Sequence, residues 1–179
     1  FLMAAAITRS SMCVEPVVPE HMNAVLQKLR DCGCSLEING RSIQITPGEI
    51  VATDITTQPF PGFPTDLQAP FMALMSTAQG TSVISEKIYE NRLQHVAELQ
   101  RMGAAIRVDG STAIVQGVPS LSGAPVTGSD LRAAAAMVLA GLSASGTTQV
   151  SGLAHLDRGY DNVETKLRGV GATVERDGF

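Results

Sequence analysis

The chain has 179 residues, of which 44% are hydrophobic and 17% are charged, so it has the composition of a globular domain with a sizeable core. Its formal net charge of -4 gives no general attraction for nucleic acid or for an anionic membrane. The longest apolar stretch, residues 133–142, is much shorter than the roughly 20 residues that a membrane-spanning helix requires. We therefore expect a cytoplasmic protein that holds any anionic ligand with a few placed cations or helix N-termini.

Three amphipathic stretches along the chain each end at a glycine. Gly33, Gly103 and Gly171 recur at a spacing of about 70 residues. A glycine just past the last turn is typical of a helix that ends in the left-handed conformation. The spacing predicts a repeated unit with a helix that ends at each of these glycines.

Each of these predicted helices is followed by an extended run and a turn dipeptide. Asn39-Gly40 and Asp109-Gly110 each stand between two extended runs, which is the strongest short-range signal for a β-hairpin. The third copy has an extended run at residues 173–176 and the turn Asp177-Gly178, but no return strand follows in this chain.

Each unit also has an earlier half, in which a helix leads into a strand. Residues 67–78 carry apolar side chains at helical spacing, end at Gly80 and lead to an extended run at residues 82–84. Residues 131–142 and 147–150 repeat this helix–strand pattern. The inner part of the second helix is apolar all round, so we expect one helix of each unit to pack inside and the other outside.

These patterns predict an α/β fold built from three helix–strand–helix–hairpin units, at about residues 1–60, 61–125 and 126–179. Residues 1–4 line up with residues 71–74, so the chain is expected to begin inside a helix. The first and last units are therefore expected to be incomplete, and the chain is expected to be a piece of a longer protein.

Four segments in chain order resemble the UDP-N-acetylglucosamine enolpyruvyl transferases. They are Phe-Pro-Thr-Asp-Leu-Gln-Ala at residues 63–69, Ile-Ser-Glu-Lys-Ile-Tyr-Glu-Asn-Arg at 84–92, Ser-Asp-Leu-Arg-Ala at 129–133 and His-Leu-Asp-Arg-Gly-Tyr at 155–160. The resemblance covers essentially the whole chain. It implies most of the C-terminal domain, an inside-out α/β barrel that faces a second domain across a cleft and is completed by the protein's N-terminal segment.

The resemblance also implies a reaction. Members of the family move the enolpyruvyl group of phosphoenolpyruvate onto the 3-hydroxyl of UDP-N-acetylglucosamine through a tetrahedral intermediate, with release of phosphate. This is the committed step of bacterial peptidoglycan synthesis. No metal, organic cofactor, nucleic acid or membrane is expected to take part, and the implied partners are the two substrates and the missing domain of the same chain.

Asp66 is the first candidate for a catalytic residue. The resemblance gives it the contact with the sugar 3-hydroxyl and the removal of its proton, which requires a carboxylate within hydrogen-bond reach of that hydroxyl. From the residues alone, Thr65-Asp66 before a helical stripe is also an ordinary N-cap. The two roles compete for the same carboxylate.

Asp130, Leu131 and Arg132 stand at the equivalent place of the next unit. The repeat predicts that Asp130 caps the following helix, which makes it a weaker catalytic candidate. A cation such as Arg132 in the first turn opposes the positive end of the helix dipole, which suggests a role in binding an anion, although a solvated surface arginine explains the sequence about as well. The resemblance implies that Leu131 and Arg132 contact the substrates and that Arg132 engages phosphoenolpyruvate.

Arg158 lies in a predicted loop, where an Asp-Arg pair is usually only a piece of surface. The resemblance places Arg158 on the phosphate of phosphoenolpyruvate, a group that suits the two-pronged guanidinium. It also places Ile88, through its backbone, and Tyr89 along the uridine nucleotide. By composition alone, these two residues are the apolar start of a helix.

Several features of the family are absent from these residues. The loop cysteine that fosfomycin alkylates, a Lys-Asn pair and further phosphate-binding arginines belong to the other domain. Cys13, Cys32 and Cys34 do not have the spacing of a metal site or of a disulfide framework, so buried or inert thiols are expected. With half of the site missing, we expect the chain alone to be inactive.

Two other functions remain open from the sequence. The sister enzyme that transfers enolpyruvyl to shikimate 3-phosphate shares the fold and the chemistry, although the segments at 84–92 and 155–160 resemble the sugar-nucleotide enzyme more closely. A non-catalytic repeat domain would also explain the repetition, because stacked units bury a shared core without any site.

Overall fold

The computed structural model describes residues 1–177. Its α-helices are α1 (Leu2–Ile7), α2 (Asn23–Asp31), α3 (Gln68–Met75), α4 (Val96–Arg101), α5 (Leu131–Ser143), α6 (Leu153–Leu156) and α7 (Val163–Gly169). Its strands are β1 (Met12–Val14), β2 (Cys34–Asn39), β3 (Ser42–Pro47), β4 (Ile55–Thr56), β5 (Thr81–Ser85), β6 (Ala105–Asp109), β7 (Thr112–Gln116), β8 (Pro125–Thr127) and β9 (Gln149–Ser151). Two 3₁₀ turns, Pro19–Met22 and Thr65–Leu67, precede α2 and α3.

Helices α1, α3 and α5 form the inside of the fold and pack against one another. Every residue of α1 and of α3 is buried, and α5 buries a run of four alanines, residues 133–136. Such small side chains let neighbouring helices approach closely, since the distance between packed helices depends on the side chains at the contact. The expectation of one inner helix in each unit is confirmed.

The two predicted hairpins are present. Strands β2 and β3 pair around Asn39-Gly40, and β6 and β7 pair around Asp109-Gly110, with Asn39 opposite Ser42 and Asp109 opposite Thr112. Gly40 and Gly110 both have φ of +58°, which the tight turn requires and which glycine adopts without a steric penalty.

Each hairpin is extended by the strand that follows an inner helix. Strand β1 pairs with β3, and β5 pairs with β7, both antiparallel. Two short strands were not predicted: β4 adds to β5 and β8 adds to β9, both in parallel. They are only two and three residues long, which is too short for a period of hydrophobic alternation to show in the sequence.

The outer helices α2, α4 and α7 end as expected, with Gly33, Gly103 and Gly171 in the left-handed region at φ of +102°, +89° and +96°. At Gly33 a side chain is excluded on two counts, since an added Cβ would also lie 2.2 Å from the carbonyl oxygen of Glu49. The chain therefore turns back from α2 along a path that only glycine can follow.

The prediction of a strand at residues 173–176 is wrong, because the structure has no regular element between Ala172 and Asp177. The corresponding strands β2 and β6 are held by ladder hydrogen bonds to their return strands, and residues 173–176 have no such partner among the described residues. The predicted turn Asp177-Gly178 includes Gly178, which lies outside the described residues. None of the helices in residues 1–177 combines the length and the apolar character needed to cross a membrane.

Candidate active site

Asp66 lies in the 3₁₀ turn Thr65–Leu67 that leads into the inner helix α3. Its side chain is 62% exposed, and its Oδ1 atom accepts a hydrogen bond from Nε of Arg132 at 2.8 Å and forms an ion pair with Nη2 of the same guanidinium, also at 2.8 Å. Nη1 of Arg92 lies 3.7 Å from the same oxygen. Within residues 1–177, Oδ2 accepts no hydrogen bond, so one side of this carboxylate is open to a further donor.

The alternative interpretation of Asp66 as an N-cap is wrong. Pro64 and Leu67 occupy the positions before the 3₁₀ turn and before α3, and neither start has a side-chain hydrogen bond. The Asp66 carboxylate is turned instead toward the first turn of α5. This places a carboxylate and a guanidinium from two repeated units in direct contact.

Asp130 behaves as the repeat predicts and caps α5. Its Oδ1 atom accepts hydrogen bonds from the backbone N–H groups of Arg132 at 2.7 Å and Ala133 at 2.9 Å. Burial raises the pKa of the Asp130 carboxyl, but these two N–H groups and the charges of Arg92 and Arg132 outweigh burial and hold the pKa below its usual value. Asp130 is therefore a charged cap that fixes the backbone of Arg132.

Arg92 is a member of the site that the sequence did not single out. Its side chain is only 13% exposed, its guanidinium carbon lies 4.2 Å from the centre of the Tyr89 ring, and Nη1 is buried without a hydrogen bond among the described residues. A desolvated guanidinium whose Nη1 makes no hydrogen bond, and only the longer 3.7 Å ion pair with Asp66, is costly to maintain, which is typical of a site built for an anion. Its place in the segment at 84–92 was the available signal, but charge spacing alone does not distinguish Arg92 from a surface arginine.

Ile88 and Tyr89 do not begin a helix, so that interpretation is wrong. Residues 88–95 form bends and turns, and α4 begins only at Val96. The backbone N–H groups of Ile88 and Tyr89 both donate to Oε1 of Glu86, at 2.8 and 3.1 Å, and both side chains are largely exposed. The segment is thus an ordered surface loop with its backbone donors turned inward.

Arg158 lies in the turn between α6 and α7 and is exposed. Among residues 1–177, no ion pair or side-chain hydrogen bond connects it to another residue, and the ion pairs of Asp66 are with Arg92 and Arg132 instead. The turn itself rests on the start of α5, because a Cβ at Gly159 would lie 2.9 Å from Cδ2 of Leu131. The turn that carries Arg158 therefore lies against the start of α5, but the Arg158 guanidinium forms no hydrogen bond or ion pair with the other candidate residues in the described chain.

Two further titratable groups border the site. Burial and the charge of Asp66 raise the pKa of Tyr160, whereas Arg132 lowers it, so this half-buried phenol lies close to the ion pair. His95 is 3% exposed, and burial lowers its pKa to about 4, against the opposing charge of Asp130. Its Nε2 atom has no hydrogen-bond partner within residues 1–177. The imidazole is therefore neutral at physiological pH.

The cysteines lie apart from these residues. Cys13 is exposed in β1, while Cys32 and Cys34 are buried. Cys34 is the first residue of β2. Within residues 1–177, no three His, Cys, Asp or Glu side chains come close enough together to hold a metal ion.

Curated relatives match nearly the whole chain at high identity. The chain is 81% identical over 176 residues to the UDP-N-acetylglucosamine 1-carboxyvinyltransferase of Parasynechococcus marenigrum (strain WH8102), which covers 98% of this chain and 41% of that protein. The proteins of the same name from Synechococcus sp. (strain CC9605) and Prochlorococcus marinus (strain MIT 9313) are 78% and 70% identical over the same coverage. The chain thus spans about two fifths of the length of these relatives.

Solved structures share the fold. The enolpyruvyl transferase NikO from Streptomyces tendae matches with a TM-score of 0.87 and 24% identity, over 97% of this chain and 42% of that chain. The EPSP synthase from Acinetobacter baumannii matches with a TM-score of 0.71 and 22% identity, over 99% of this chain and 42% of that chain. The prediction of an α/β domain of the enolpyruvyl transferase type is confirmed.

A family model described as EPSP synthase (3-phosphoshikimate 1-carboxyvinyltransferase) matches residues 1–167, which is most of the chain. The match includes α1 to α6, both hairpins, and the start of α5 with its aspartate and arginine. This chain belongs to the EPSP synthase family of enolpyruvyl-transferring proteins.

Proposed function

We propose that this chain is part of an enzyme that transfers enolpyruvyl from phosphoenolpyruvate to the 3-hydroxyl of UDP-N-acetylglucosamine and releases phosphate. The observation that carries the proposal is the Asp66 carboxylate, which is held on one oxygen by Arg132 and is open on the other. The identity of 70–81% to three relatives of that name supports the choice of the sugar nucleotide as acceptor.

Asp66 is suited to act as the general base. In the addition step, the sugar 3-oxygen bonds to C2 of phosphoenolpyruvate, its proton passes to Oδ2 of Asp66, and the electrons of the C2=C3 double bond take a proton at C3 from an acid supplied by the rest of the protein. In the elimination step, the bond from C2 to the phosphate oxygen breaks, phosphate leaves with that electron pair, and one C3 proton passes to a base, which restores the double bond. A carboxylate that is already oriented by a guanidinium loses little freedom on taking up this role.

Arg132 and Arg92 are suited to receive the anionic substrate. Both cations face Oδ1 of Asp66. Phosphoenolpyruvate carries a carboxylate and a phosphate, which are stronger acceptors for a guanidinium than one shared oxygen. We propose that the substrate takes over part of these contacts, so that positive charge lies where negative charge develops during the reaction.

The remaining assignments are proposals of the same kind. We assign Arg158 to the phosphate of phosphoenolpyruvate, Leu131 to the substrate-facing start of α5, and Asp130 to the support of Arg132 through its backbone. Ile88 and Tyr89 are assigned to the uridine nucleotide. Since the N–H of Ile88 is engaged by Glu86, a nucleotide that uses its backbone must take the carbonyl oxygen.

The rest of the active site is proposed to come from the part of the protein that the relatives have in addition, since this chain covers 41% of their length. In this proposal, residues of about 1–60, 61–125 and 126–179 are three repeated units of one domain, and a segment from elsewhere in the same protein completes the β8–β9 sheet. The proposed setting is the cytoplasm and the committed step of peptidoglycan synthesis, without a cofactor.

The test is phosphate release by the full-length protein with phosphoenolpyruvate and either UDP-N-acetylglucosamine or shikimate 3-phosphate. We expect turnover with the sugar nucleotide alone, a large loss in Arg158→Ala, and no turnover by the 179-residue chain alone. Turnover only with shikimate 3-phosphate would replace the proposed acceptor. No turnover with either acceptor would favour a non-catalytic repeat domain.

A further inference from the structure

Glu86 is a buried carboxylate that the proposed chemistry does not use. The residue is 2% exposed, and none of the ion pairs within residues 1–177 includes it. Removing a carboxylate from water without a cation is expensive, and a fold that needed only packing at this position would hold an apolar residue. A buried Glu86 carboxylate is therefore expected to have a role other than packing.

The carboxylate is held by four hydrogen bonds. Oε1 accepts from Oγ1 of Thr57 at 2.8 Å and from the N–H groups of Ile88 at 2.8 Å and Tyr89 at 3.1 Å. Oε2 accepts from Oγ1 of Thr65 at 3.0 Å. Burial raises the pKa of the Glu86 carboxyl, but these hydrogen bonds outweigh burial and hold it below its usual value, so the group is charged at neutral pH.

The four donors come from three separate parts of the chain that meet at the site. Thr57 follows β4, and its hydroxyl also accepts from the N–H of Lys87 at 2.8 Å. Thr65 opens the 3₁₀ turn that contains Asp66. One side chain thus connects the turn that presents the proposed base to the loop that is proposed to lie along the nucleotide.

We infer that Glu86 is a positioning residue, which sets the distance between the Asp66 carboxylate and the backbone of Ile88 and Tyr89. The inference rests on the proposed function, because these two places are assigned to opposite ends of the same substrate. A sugar nucleotide that spans both places is aligned only if their separation is fixed before it binds. Preorganisation of this kind lowers the cost of reaching the reactive geometry.

This role makes a prediction specific to one substrate. Loosening the Glu86 contacts changes the register of the sugar nucleotide, and leaves Arg132, whose backbone is held by Asp130, and Arg158 in place to hold phosphoenolpyruvate. The effect is therefore expected in kcat and in the KM for the sugar nucleotide, and not in the KM for phosphoenolpyruvate. If Glu86 only stabilised the fold, its substitution would lower the melting temperature without a selective effect on the kinetic constants for the sugar nucleotide.

The experiment uses the full-length protein with Glu86→Gln and Thr65→Val. Glutamine keeps one oxygen for the two backbone N–H groups but places an amide NH₂ where Oε2 accepted from Thr65. Valine keeps the shape of Thr65 and removes only its hydroxyl. We expect kcat/KM for UDP-N-acetylglucosamine to fall at least about tenfold in both variants, with the KM for phosphoenolpyruvate within about twofold of wild type.

The matched control is Ser76→Ala at the other end of α3. Ser76 is fully buried and donates its hydroxyl to the Met72 carbonyl oxygen at 2.9 Å, so its removal costs a comparable hydrogen bond away from the site. If Glu86→Gln fails to fold, Thr65→Val decides the outcome. Kinetic constants that match the Ser76→Ala protein, or a change confined to the KM for phosphoenolpyruvate, would overturn the inference while the proposed function stands. A wild-type protein without turnover would remove the proposed function, and the inference with it.

Discussion

Two neighbouring inner helices, α3 and α5, each have an aspartate just before their first turn, and the two carboxylates are used differently. Asp130 accepts from two backbone N–H groups of its own helix, whereas Asp66 accepts from no backbone group of α3 and binds the side chain of Arg132 from the next unit. Repetition placed both carboxylates at the inner-helix starts. The carboxylate that caps its helix is occupied by backbone N–H groups. The carboxylate that does not cap can bind side chains and is proposed to act on the substrate.

The difference arises in the residues that precede each helix. Before α5 the chain reaches Asp130 in an extended conformation, with φ of -151°, which directs the side chain back over the first turn. Before α3 the chain instead enters a 3₁₀ turn at Thr65, and Asp66 is already inside that turn. Its side chain then projects outward from the turn, toward the neighbouring unit, and is free to bind Arg132.

The different roles of the two aspartates are tested most directly by Asp66→Asn in the full-length protein. This change keeps the shape of the side chain and removes its charge and basicity, so we expect kcat to fall about 10²–10⁴-fold. Because Asp66 is not a cap, the free energy of unfolding should change by less than about 0.5 kcal/mol. Phosphate release and thermal unfolding of the same samples measure both quantities. Activity within a few-fold of wild type would remove Asp66 as the base.

Arg132 serves both aspartates, one through its backbone and one through its guanidinium, and Arg132→Lys separates the two. The backbone N–H remains for Asp130, while the lysine cannot reproduce the two contacts of Nε and Nη2 with Asp66. We expect about a 10²-fold loss of kcat/KM for phosphoenolpyruvate with an unchanged melting temperature. A lower melting temperature with normal kinetics would mean that the guanidinium serves the fold.

His95 is buried near Asp130, and the pH dependence of stability tests whether its imidazole is neutral in the folded protein. The folded protein keeps the imidazole neutral down to about pH 4, whereas the unfolded chain binds a proton near pH 6.5. Stability is therefore present above pH 6.5 and is lost as the pH falls, by about 2 kcal/mol between pH 7 and pH 5. The negative charge of Asp130 raises the pKa of His95 and so reduces this loss of stability, whereas the positive charge of Arg92 lowers the pKa and increases the loss.

The control for this prediction is His95→Gln, which does not titrate. Denaturant unfolding at both pH values should show a smaller loss for the variant, and amide exchange in α4 reports the same difference locally. An identical pH dependence of the two proteins would show that the histidine is hydrated in the folded state.

The smallest effect is expected from the cap itself. Asp130→Ala should lower the free energy of unfolding by about 1 kcal/mol, while Asp130→Asn, which can still accept from the backbone, should cost less. Asp66→Ala should not show this pattern, since it removes no cap. Equal losses in the Asp66→Ala and Asp130→Ala proteins, measured by denaturant unfolding, would contradict the difference between the two helix starts.

The sequence was sufficient for the elements that depend on local signals. Helix α2 with its stop at Gly33, the hairpin around Asp109-Gly110 and the apolar helix α5 follow from period, turn chemistry and glycine alone. The cap at Asp130 followed from the repeat. These features depend on residues that are close together in the chain, so a pattern in the sequence is enough to predict them.

The parts that could not be predicted depend on partners far away in the chain. The contact of Asp66 with Arg132 spans 66 positions, and the hydrogen bond of Glu86 with Thr57 spans 29. Residues 173–176 have the composition of a strand, yet a strand exists only where a neighbour completes its ladder. Arg92 was missed because burial, and not residue type, distinguishes it from other arginines.

The exposure of the Asp66–Arg132 contact has a consequence for the ionic conditions in which the protein works. These side chains are 62% and 33% exposed, so dissolved ions compete for them, and the attraction between the charges weakens as ionic strength rises. The Glu86 side chain is buried, so dissolved ions compete less for its hydrogen bonds. Salt should therefore loosen the contact between the turn before α3 and the start of α5, and leave the Glu86 network intact.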